Sequence, residues 1–589
     1  MNVSKYDYNT ILKIFLGLIV MGVCVQHIFN IYQPTLLDDE YCYWSIAAYL
    51  NNKDWSSVTS WCSYYSYGYS FILFIIMKFT RDTVLMYRAA VVINGLLLVG
   101  SYLILDRILN RIYGGEEVSR NKITLVSFLA IMIPCNINYA SVNLTECLLV
   151  FLFLVLVWFI VNADKNDTYV RALGAAAVSG YAYMVHQRML CVVAAVILTL
   201  IVMTIMKKYS LSRLVTYIAG VVAMFGAHSY LKAYFKQAVW LGKNSGADND
   251  YGSIFGNVKY IFSSFNNFAR FIVGIIGKLY YYASATYIIG AIVVIVMLIV
   301  LWRYFWNRNN ETLAGITICF YLFVCSSFIM LLGLSSVFMA KLESGALSPL
   351  LYGRYMEVVY PVIAAAGIMW LSSSGHWSVK KKIYIIISSV TGYGVMGLVV
   401  RMYIKRRNLQ VLNYISCGQI YKYMSGDNLP VFKMMLTVAV TFVALMLVAG
   451  IKQKRKVFGY VFAIAVFAAE LRTAYIPFSN INLWLQDNKN VSKSILTVLE
   501  QQKGDIYYWV CREEEKQSGQ NREYIQYWLQ DRTIKCVEEN DLEDDTVKPG
   551  EKDVMVVSDS DKIREMDNRG EYEKIYEEEG FVSVYKCGR

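Results

Sequence analysis

The chain has 589 residues, of which 57% are hydrophobic and 17% are charged, whereas an average soluble domain carries about 25% charged residues. Its formal net charge of +12 combines an acidic final segment, residues 491–589, with a basic remainder. Basic residues of the remainder lie between apolar runs, where loop charges orient membrane proteins. The composition excludes an ordinary soluble enzyme and a nucleic-acid-binding protein, and it predicts an α-helical polytopic membrane protein.

Apolar runs near the bilayer-crossing length of about 20 residues recur along the chain. The first follows Lys5 and Lys13 as in a signal sequence, but no small-residue cleavage site comes after it, so we expect it to be retained. The runs predict about thirteen spans, at residues 11–33, 83–106, 123–141, 145–162, 170–186, 189–206, 214–234, 281–302, 313–338, 354–373, 383–403, 431–451 and 457–475.

Orientation follows from the loops, because basic residues cluster in every second loop when the N-terminus is cytoplasmic. This assignment places a first outer loop at residues 34–82 and the C-terminal region outside the cell. The apolar segment 66–80 is too short to span, and we expect it to be a helix in the outer interface. One outer loop is basic at residues 401–407, including Arg406, which indicates either an anion site or contact with lipid headgroups.

Two domains are predicted, a transmembrane domain at residues 1–480 and a small soluble extracytoplasmic α/β domain at residues 481–589. The second domain has predicted buried strands at DIYYWV and DVMVVS and a predicted helix at REYIQYWLQ before TIKCV, and residues 571–587 end with a predicted strand. Strands that alternate with helices are typical of an α/β layer.

An acidic triplet, Asp38-Asp39-Glu40, follows the first predicted span within a few residues. Adjacent carboxylates repel one another unless a metal ion, a basic group or a proton-bearing substrate offsets the repulsion. The alternative is a solvated turn that caps the next helix at its positive end. Residues 41–55 after the triplet predict an amphipathic helix lying along the membrane.

Other ionisable residues fall at predicted outer ends of spans, where such groups are candidates for function. Glu146 is either a site residue or part of a helix start. His186 and Arg188 are candidates for phosphate binding or for contact with lipid headgroups. Arg354 is a further candidate, with Glu357 one turn along as its alternative structural partner.

Two cysteines, Cys42 and Cys62, lie in the predicted first outer loop and are either a disulfide or two free thiols. The sequence contains no nucleotide-binding, serine-hydrolase, zinc-protease or kinase motif. An energy source based on nucleotide hydrolysis within this chain is therefore not expected.

The order of these features resembles one family of enzymes. The chain has, in this order, an acidic pair after the first span, an outer helix, YSYGYSFILF, a span with Arg88, Glu146 and GRYMEVVYP. This order resembles that of the protein O-mannosyltransferase and lipid A aminoarabinose transferase group. These enzymes are GT-C glycosyltransferases. About thirteen spans followed by an outer soluble domain is also the layout of that group.

The resemblance implies an inverting glycosyltransferase that takes a sugar from a polyprenyl phosphate at the outer leaflet. It implies that Asp39 is the general base for the hydroxyl of an envelope lipid, glycan or protein acceptor. His186, Arg188, Arg354 and Arg406 would neutralise the departing phosphate. Asp38, Glu40 and Glu146 would support the acceptor, and whether Asp38, Asp39 and Glu146 hold a divalent cation, Mg²⁺ or Mn²⁺, is left open.

Two rival classes are weighed against this interpretation. A lipid-linked polysaccharide ligase or polymerase would be expected to place its basic residues in a long outer loop, without an acidic triplet after the first span. A non-enzymatic transporter of lipid-linked glycans would favour ion pairs deep within spans and two similar halves. The sequence shows neither pattern.

Overall fold

The computed structural model describes residues 8–114, 118–164, 168–242, 254–306, 315–340, 350–373, 377–403, 415–417, 431–449, 493–510, 521–538, 549–558, 560–569, 572–578 and 582–587. Its helices are α1 Tyr8–Val25, α2 Asp38–Leu50, α3 Ser56–Thr59, α4 Ser70–Phe79, α5 Thr83–Tyr113, α6 Arg120–Ile131, α7 Pro134–Ala140, α8 Glu146–Val161, α9 Tyr169–Val185, α10 Leu190–Ile205, α11 Leu211–Val239, α12 Ile254–Ile261, α13 Phe265–Ala285, α14 Ile289–Trp306, α15 Gly315–Phe338, α16 Tyr360–Ser373, α17 Val379–Tyr403, α18 Val431–Ala449, α19 Lys493–Gln501, α20 Asn521–Leu529 and α21 Ser560–Arg569. Short 3₁₀ turns occupy Ile28–Asn30, Gln187–Met189 and Glu357–Val359.

Helices occupy the predicted spans up to residue 451, and the last predicted span, 457–475, lies outside the described residues. Within the described part of the chain, eight helices are long and apolar enough to cross a bilayer, or nine if α6 and α7, bent by 62°, form one span. Helices α8 and α16 are apolar but shorter. The chain is thus a multi-pass helical membrane protein, and the count of about thirteen spans stays a prediction.

The predicted span at 281–302 is wrong at its start. Helix α13 continues to Ala285, and the chain then turns through Tyr287 and Ile288, whose φ angles are 46° and 67°, before α14 begins at Ile289. Positive φ is unfavourable for such bulky side chains. Apolar composition continues across this turn, so hydropathy does not reveal it.

Contacts divide the chain into two compact units. The larger unit comprises Met1–Gln26, Val92–Phe225 and Asp250–Ile481, and the smaller unit comprises His27–Val91, Gly226–Asn249 and Asn482–Arg589. The predicted boundary at residue 480 lies next to the start of the last segment of the smaller unit. That unit is therefore assembled from three distant stretches of sequence.

Helix α2 departs from the prediction of an amphipathic helix lying along the membrane. Every residue from Asp39 to Ala48 is buried. Trp44 and Trp55 both meet the ring of Tyr527 on α20, at 5.5 and 6.0 Å between ring centres. The indole N–H of Trp55 also donates to the carbonyl of Gln530 at 2.7 Å. The C-terminal segment therefore covers a helix whose own sequence has aromatic residues on more than one side.

The C-terminal strands are β1 Ile506–Trp509, β2 Ile534–Val537, β3 Val554–Val557, β4 Tyr572–Glu578 and β5 Val582–Cys587. They form one sheet in the order β2-β1-β3-β5-β4. Strands β2, β1 and β3 are parallel, and β5 is antiparallel to both β3 and β4. The predicted strands and helix α20 are confirmed, and the segment 571–587 contains two strands rather than one.

The two cysteines of the first predicted loop are buried thiols. The thiol of Cys42 donates to the carbonyl of Ser63 at 3.0 Å, and that of Cys62 lies 3.4 Å from Oε1 of Glu523. Burial is the first cause that raises the pKa of the Cys42 thiol, followed by the charges of Asp38 and Asp39. Of the two alternatives, the structure shows two thiols rather than a disulfide.

Small residues bring α9 and α11 close together within the larger unit. A Cβ added at Gly220 of α11 would lie 2.8 Å from Cβ of Ala176 on α9. In a bilayer, lipid removes the hydrophobic driving force between helices, and helices associate instead through such close contacts between their backbones. Further along α11, nothing lies within 4 Å of a Cβ at Gly226.

These two glycines give a matched prediction. Alanine improves helix propensity by about 1 kcal/mol at either position, but only Gly220→Ala forces the helices apart. We expect the free energy of unfolding of Gly220→Ala to be lower than that of Gly226→Ala by about 1–3 kcal/mol, the usual cost of overpacking. The measurement is denaturant titration in detergent, and equal stability of the two variants would contradict this packing.

Candidate functional site

The acidic triplet forms the first turn of α2, in the smaller unit. Glu40 turns inward: its Oε2 accepts from the hydroxyl of Thr35 and the backbone N–H of Leu37, each at 2.7 Å. Its Oε1 accepts from the hydroxyl of Tyr87 at 2.7 Å. Glu40 is the third residue of α2, and its carboxylate binds the N–H of Leu37, the residue just before the helix. This contact is one half of a capping box. Glu40 therefore caps the start of α2 while being buried.

The backbone just before this helix is strained. Leu36 has a φ of 41° and is fully buried. A leucine in the left-handed region costs on the order of 1–3 kcal/mol, and such strain concentrates where function constrains the chain. The contacts of Glu40 hold this conformation by fixing Thr35 and Leu37 on either side of Leu36.

Asp38 and Asp39 differ from Glu40 in their surroundings. Asp38 is exposed, and Asp39 lies at the edge of burial with 9% of its surface exposed. Both carboxylates stand at the positive end of α2, where negative charge is favourable. Burial, and then the charges of Asp39 and Asp38, raise the pKa of Tyr65 well above its ordinary range. Tyr65 therefore lies within electrostatic reach of the two aspartates.

A second charged cluster lies in the larger unit. Oε1 of Glu146, the first residue of α8, accepts from NH2 of Arg188 at 3.1 Å and from Nε of Arg354 at 2.6 Å. Arg188 also donates from NH1 to the carbonyl of Arg354 at 3.1 Å. Glu146 and Arg188 are buried, so this is a desolvated cluster of two positive charges and one negative charge.

His186 belongs to the same cluster. Its Nδ1 accepts from the backbone N–H of Arg188 at 3.2 Å, and its ring meets that of Tyr355 edge to face at 6.1 Å. The guanidinium of Arg188 lies 5.7 Å from the centre of the same tyrosine ring. Sequence reasoning proposed Glu146, His186, Arg188 and Arg354 separately, and the structure brings all four together.

Glu357 does not pair with Arg354, its expected structural partner. Its carboxylate accepts instead from the hydroxyls of Tyr281 at 2.5 Å, Ser416 at 2.6 Å and Tyr139 at 2.8 Å. All of these groups are buried. Sequence reasoning missed this network because its members are widely separated in the chain. Arg354 is left to bind Glu146.

The predicted cation site stays a prediction, and the surroundings of Glu146 bear on whether that residue fits it. Two guanidinium groups on Glu146 repel a cation, so this carboxylate does not fit as a metal ligand. Over the described ranges, no three His, Cys, Asp or Glu side chains are grouped as a metal site requires. A cation site at Asp38 and Asp39 stays a prediction. Arg406 lies outside the described residues.

Comparison with solved structures identifies the fold. The chain is similar to ArnT from Cupriavidus metallidurans bound to undecaprenyl phosphate, with a TM-score of 0.51 and 13% identity over 98% of this chain and 97% of that one. The apo state of the same protein gives a TM-score of 0.52. The expected GT-C fold is thereby confirmed.

Other comparisons add less. The oligosaccharyltransferase of Archaeoglobus fulgidus has a TM-score of 0.41 and 10% identity over 90% of this chain and 65% of that one. No protein-family model matches the sequence. No curated protein sequence matches it either.

The buried cluster yields a prediction. Glu146→Gln leaves two arginines near each other without their counter-charge, so we expect it to lower the free energy of unfolding by about 3–5 kcal/mol. Asp561→Asn is the control, because it breaks an exposed pair with Arg564 that contributes almost nothing. Thermal unfolding in detergent would measure both, and an equally small effect of the two substitutions would contradict the burial argument.

Proposed function

We propose that the chain is an inverting glycosyltransferase that transfers a sugar from a polyprenyl-phosphate donor to a hydroxyl of a cell-envelope lipid, glycan or protein. The fold, which extends over nearly the whole chain, supports this class of enzyme. The single observation that carries the proposal is Asp39: a carboxylate at the edge of burial, on a helix start that Glu40 and Leu36 hold fixed. That is the placement a general base needs.

Asp39 takes the proton of the acceptor hydroxyl as the hydroxyl oxygen bonds to the anomeric carbon. The bond from that carbon to the phosphate oxygen breaks, and its electron pair leaves with polyprenyl phosphate. Because phosphate is a good leaving group, the reaction needs no strong general acid. One carboxylate therefore suffices, in contrast to the paired carboxylates of glycosidases.

The other two members of the triplet have different roles. Asp38 is exposed and one residue away, so it binds and orients the acceptor. Glu40 has both oxygens engaged by Thr35, Leu37 and Tyr87, and it acts as a positioning residue for the helix start.

Arg188, Arg354 and His186 are proposed to meet the negative charge of the donor phosphate. Two arginines against one glutamate leave a net positive charge. The Nε of Arg188 is buried without a hydrogen-bond partner among the described residues, and so is Oε2 of Glu146. A buried, preorganised donor such as Nε of Arg188 stabilises negative charge that develops in a transition state. Arg406 stays part of the prediction on sequence grounds.

The reaction is proposed to take place on the outer face of the membrane. The support is the distribution of basic residues, which favours a cytoplasmic N-terminus and an extracytoplasmic C-terminal segment. Helix α2 and the C-terminal segment lie in one compact unit, so they share a side of the membrane.

Asp39→Asn tests the general base. We expect this variant to transfer sugar from radiolabelled polyprenyl-phosphate donors in membranes at a rate about 10²–10⁴-fold below wild type. The loss occurs because an amide cannot accept the proton. Asp38→Asn is the matched control, and we expect it to affect mainly the KM for the acceptor.

Two outcomes would count against the proposal. Wild-type transfer by Asp39→Asn would exclude Asp39 as base while leaving the enzyme class intact. Failure of the wild-type protein to use any polyprenyl-linked donor would exclude the class and favour a transporter of lipid-linked glycans.

A further inference from the structure

Helix α20 of the C-terminal segment carries two tyrosines whose hydroxyl groups point to opposite sides of the start of α2. Tyr524 and Tyr527 are three residues apart and fully buried, and residues at this spacing lie on one face of a helix. Both belong to the smaller unit, which also contains Asp39. The sequence analysis assigned this helix to a separate soluble domain.

Tyr524 holds the chain just before the strained turn. Its hydroxyl donates to Oε1 of Gln33 at 2.6 Å, and Gln33 is itself buried. Two residues further along is Thr35, whose hydroxyl donates to Glu40. Leu36, the residue with positive φ, comes next. The C-terminal segment therefore fixes the entry to the turn from which α2 begins.

Tyr527 holds the other segment that binds Glu40. Its hydroxyl donates to the carbonyl of Thr83, the first residue of α5, at 3.2 Å. Tyr87, one turn along α5, donates to Oε1 of Glu40 at 2.7 Å. The two tyrosines of α20 thus each hold one of the two segments whose hydroxyl groups fix Glu40.

Gln530, directly after α20, adds a third connection. Its Oε1 accepts from Nζ of Lys53 at 2.6 Å, and its Nε2 donates to the carbonyl of Arg81 at 2.8 Å. Its φ of 40° lies in the left-handed region, which is unfavourable for a residue with a side chain. The contacts of Gln530 join the chain that follows α2 to the chain that precedes α5.

The position of a general base controls its rate. A displacement of about 1 Å, even one caused by a distant substitution, can lower a rate by about 10²-fold. A catalytic side chain keeps its position only when the residues around it are themselves held by packing and hydrogen bonds. Asp39 directly precedes Glu40, and the donors of Glu40 lie on two segments that α20 holds.

We propose that Tyr524 and Tyr527 are positioning residues for Asp39, and that the C-terminal segment is thereby a part of the catalytic site rather than an independent module. This inference rests on the proposed function and deepens it. The two tyrosines act through Gln33 and Thr83, and they do not touch the substrate. Their removal therefore slows the chemical step and leaves substrate binding unchanged.

The test compares Tyr524→Phe with Tyr585→Phe in the full-length protein in nanodiscs. Tyr585 of β5 is also buried in the C-terminal segment, and its hydroxyl donates to the carbonyl of Ile563 at 3.1 Å and to Oδ1 of Asp567 at 2.9 Å. Each substitution removes one buried hydroxyl group and its hydrogen bonds, so we expect similar decreases in Tm.

Transfer from a radiolabelled polyprenyl-phosphate sugar separates the two variants. We expect Tyr524→Phe to lower kcat by about tenfold or more, with the KM values for donor and acceptor within about twofold of wild type. Tyr585→Phe should retain the wild-type kcat. We expect Tyr527→Phe to behave like Tyr524→Phe, because it releases the other segment that binds Glu40.

A second measurement places Tyr524→Phe in the Asp39→Asn background. The base that Tyr524 positions is then absent, so we expect no further decrease in kcat. A general effect on the fold would instead lower kcat by the same factor in both backgrounds, because independent effects are additive in free energy. That result would overturn the positioning role.

The remaining outcomes are distinct from one another. Equal kcat values for Tyr524→Phe and Tyr585→Phe would show that α20 only covers α2, and the proposed function would stand. An increased KM with unchanged kcat would exclude positioning of the base and would place α20 in substrate binding. No transfer by the wild-type protein from any polyprenyl-linked donor would exclude the proposed function together with this inference.

Discussion

The carboxylate of Glu40 accepts hydrogen bonds from Thr35, Leu37 and Tyr87, and it joins the start of α2 to the chain before it and to α5. Three adjacent carboxylates would otherwise repel one another at a helix start. Turning one of them inward, where three donors meet it, separates it from the exposed Asp38. Asp39 then stands on a backbone that is already fixed, which suits its proposed role as general base.

In the larger unit, too, buried carboxylates are held by several hydrogen-bond donors. Glu146 holds Arg188 and Arg354, and Glu357 holds three hydroxyl groups. An ionised group away from water is tolerated only when it is paired and hydrogen-bonded. These two carboxylates therefore join segments that lie far apart in the sequence, and Glu146 also brings two arginines together.

Much of the fold follows from local patterns, whereas the pairing within the site does not. Apolar runs predicted the spans, and short apolar runs predicted the C-terminal strands, because both signals are contained in a few neighbouring residues. Arg354 lies three residues from Glu357 but binds Glu146, and only the folded chain decides between the two partners. The sequence predicted α2 at the membrane surface. It does not reveal that α20 covers this helix, because α20 lies almost 500 residues away.

The central claim is that Asp39 activates an acceptor hydroxyl for a single direct displacement at the anomeric carbon. The most direct test is the anomeric configuration of the product, determined by nuclear magnetic resonance after transfer from a polyprenyl-phosphate sugar of known configuration. The account predicts inversion. Retention would contradict it, because retention requires two displacements through a glycosyl–enzyme intermediate.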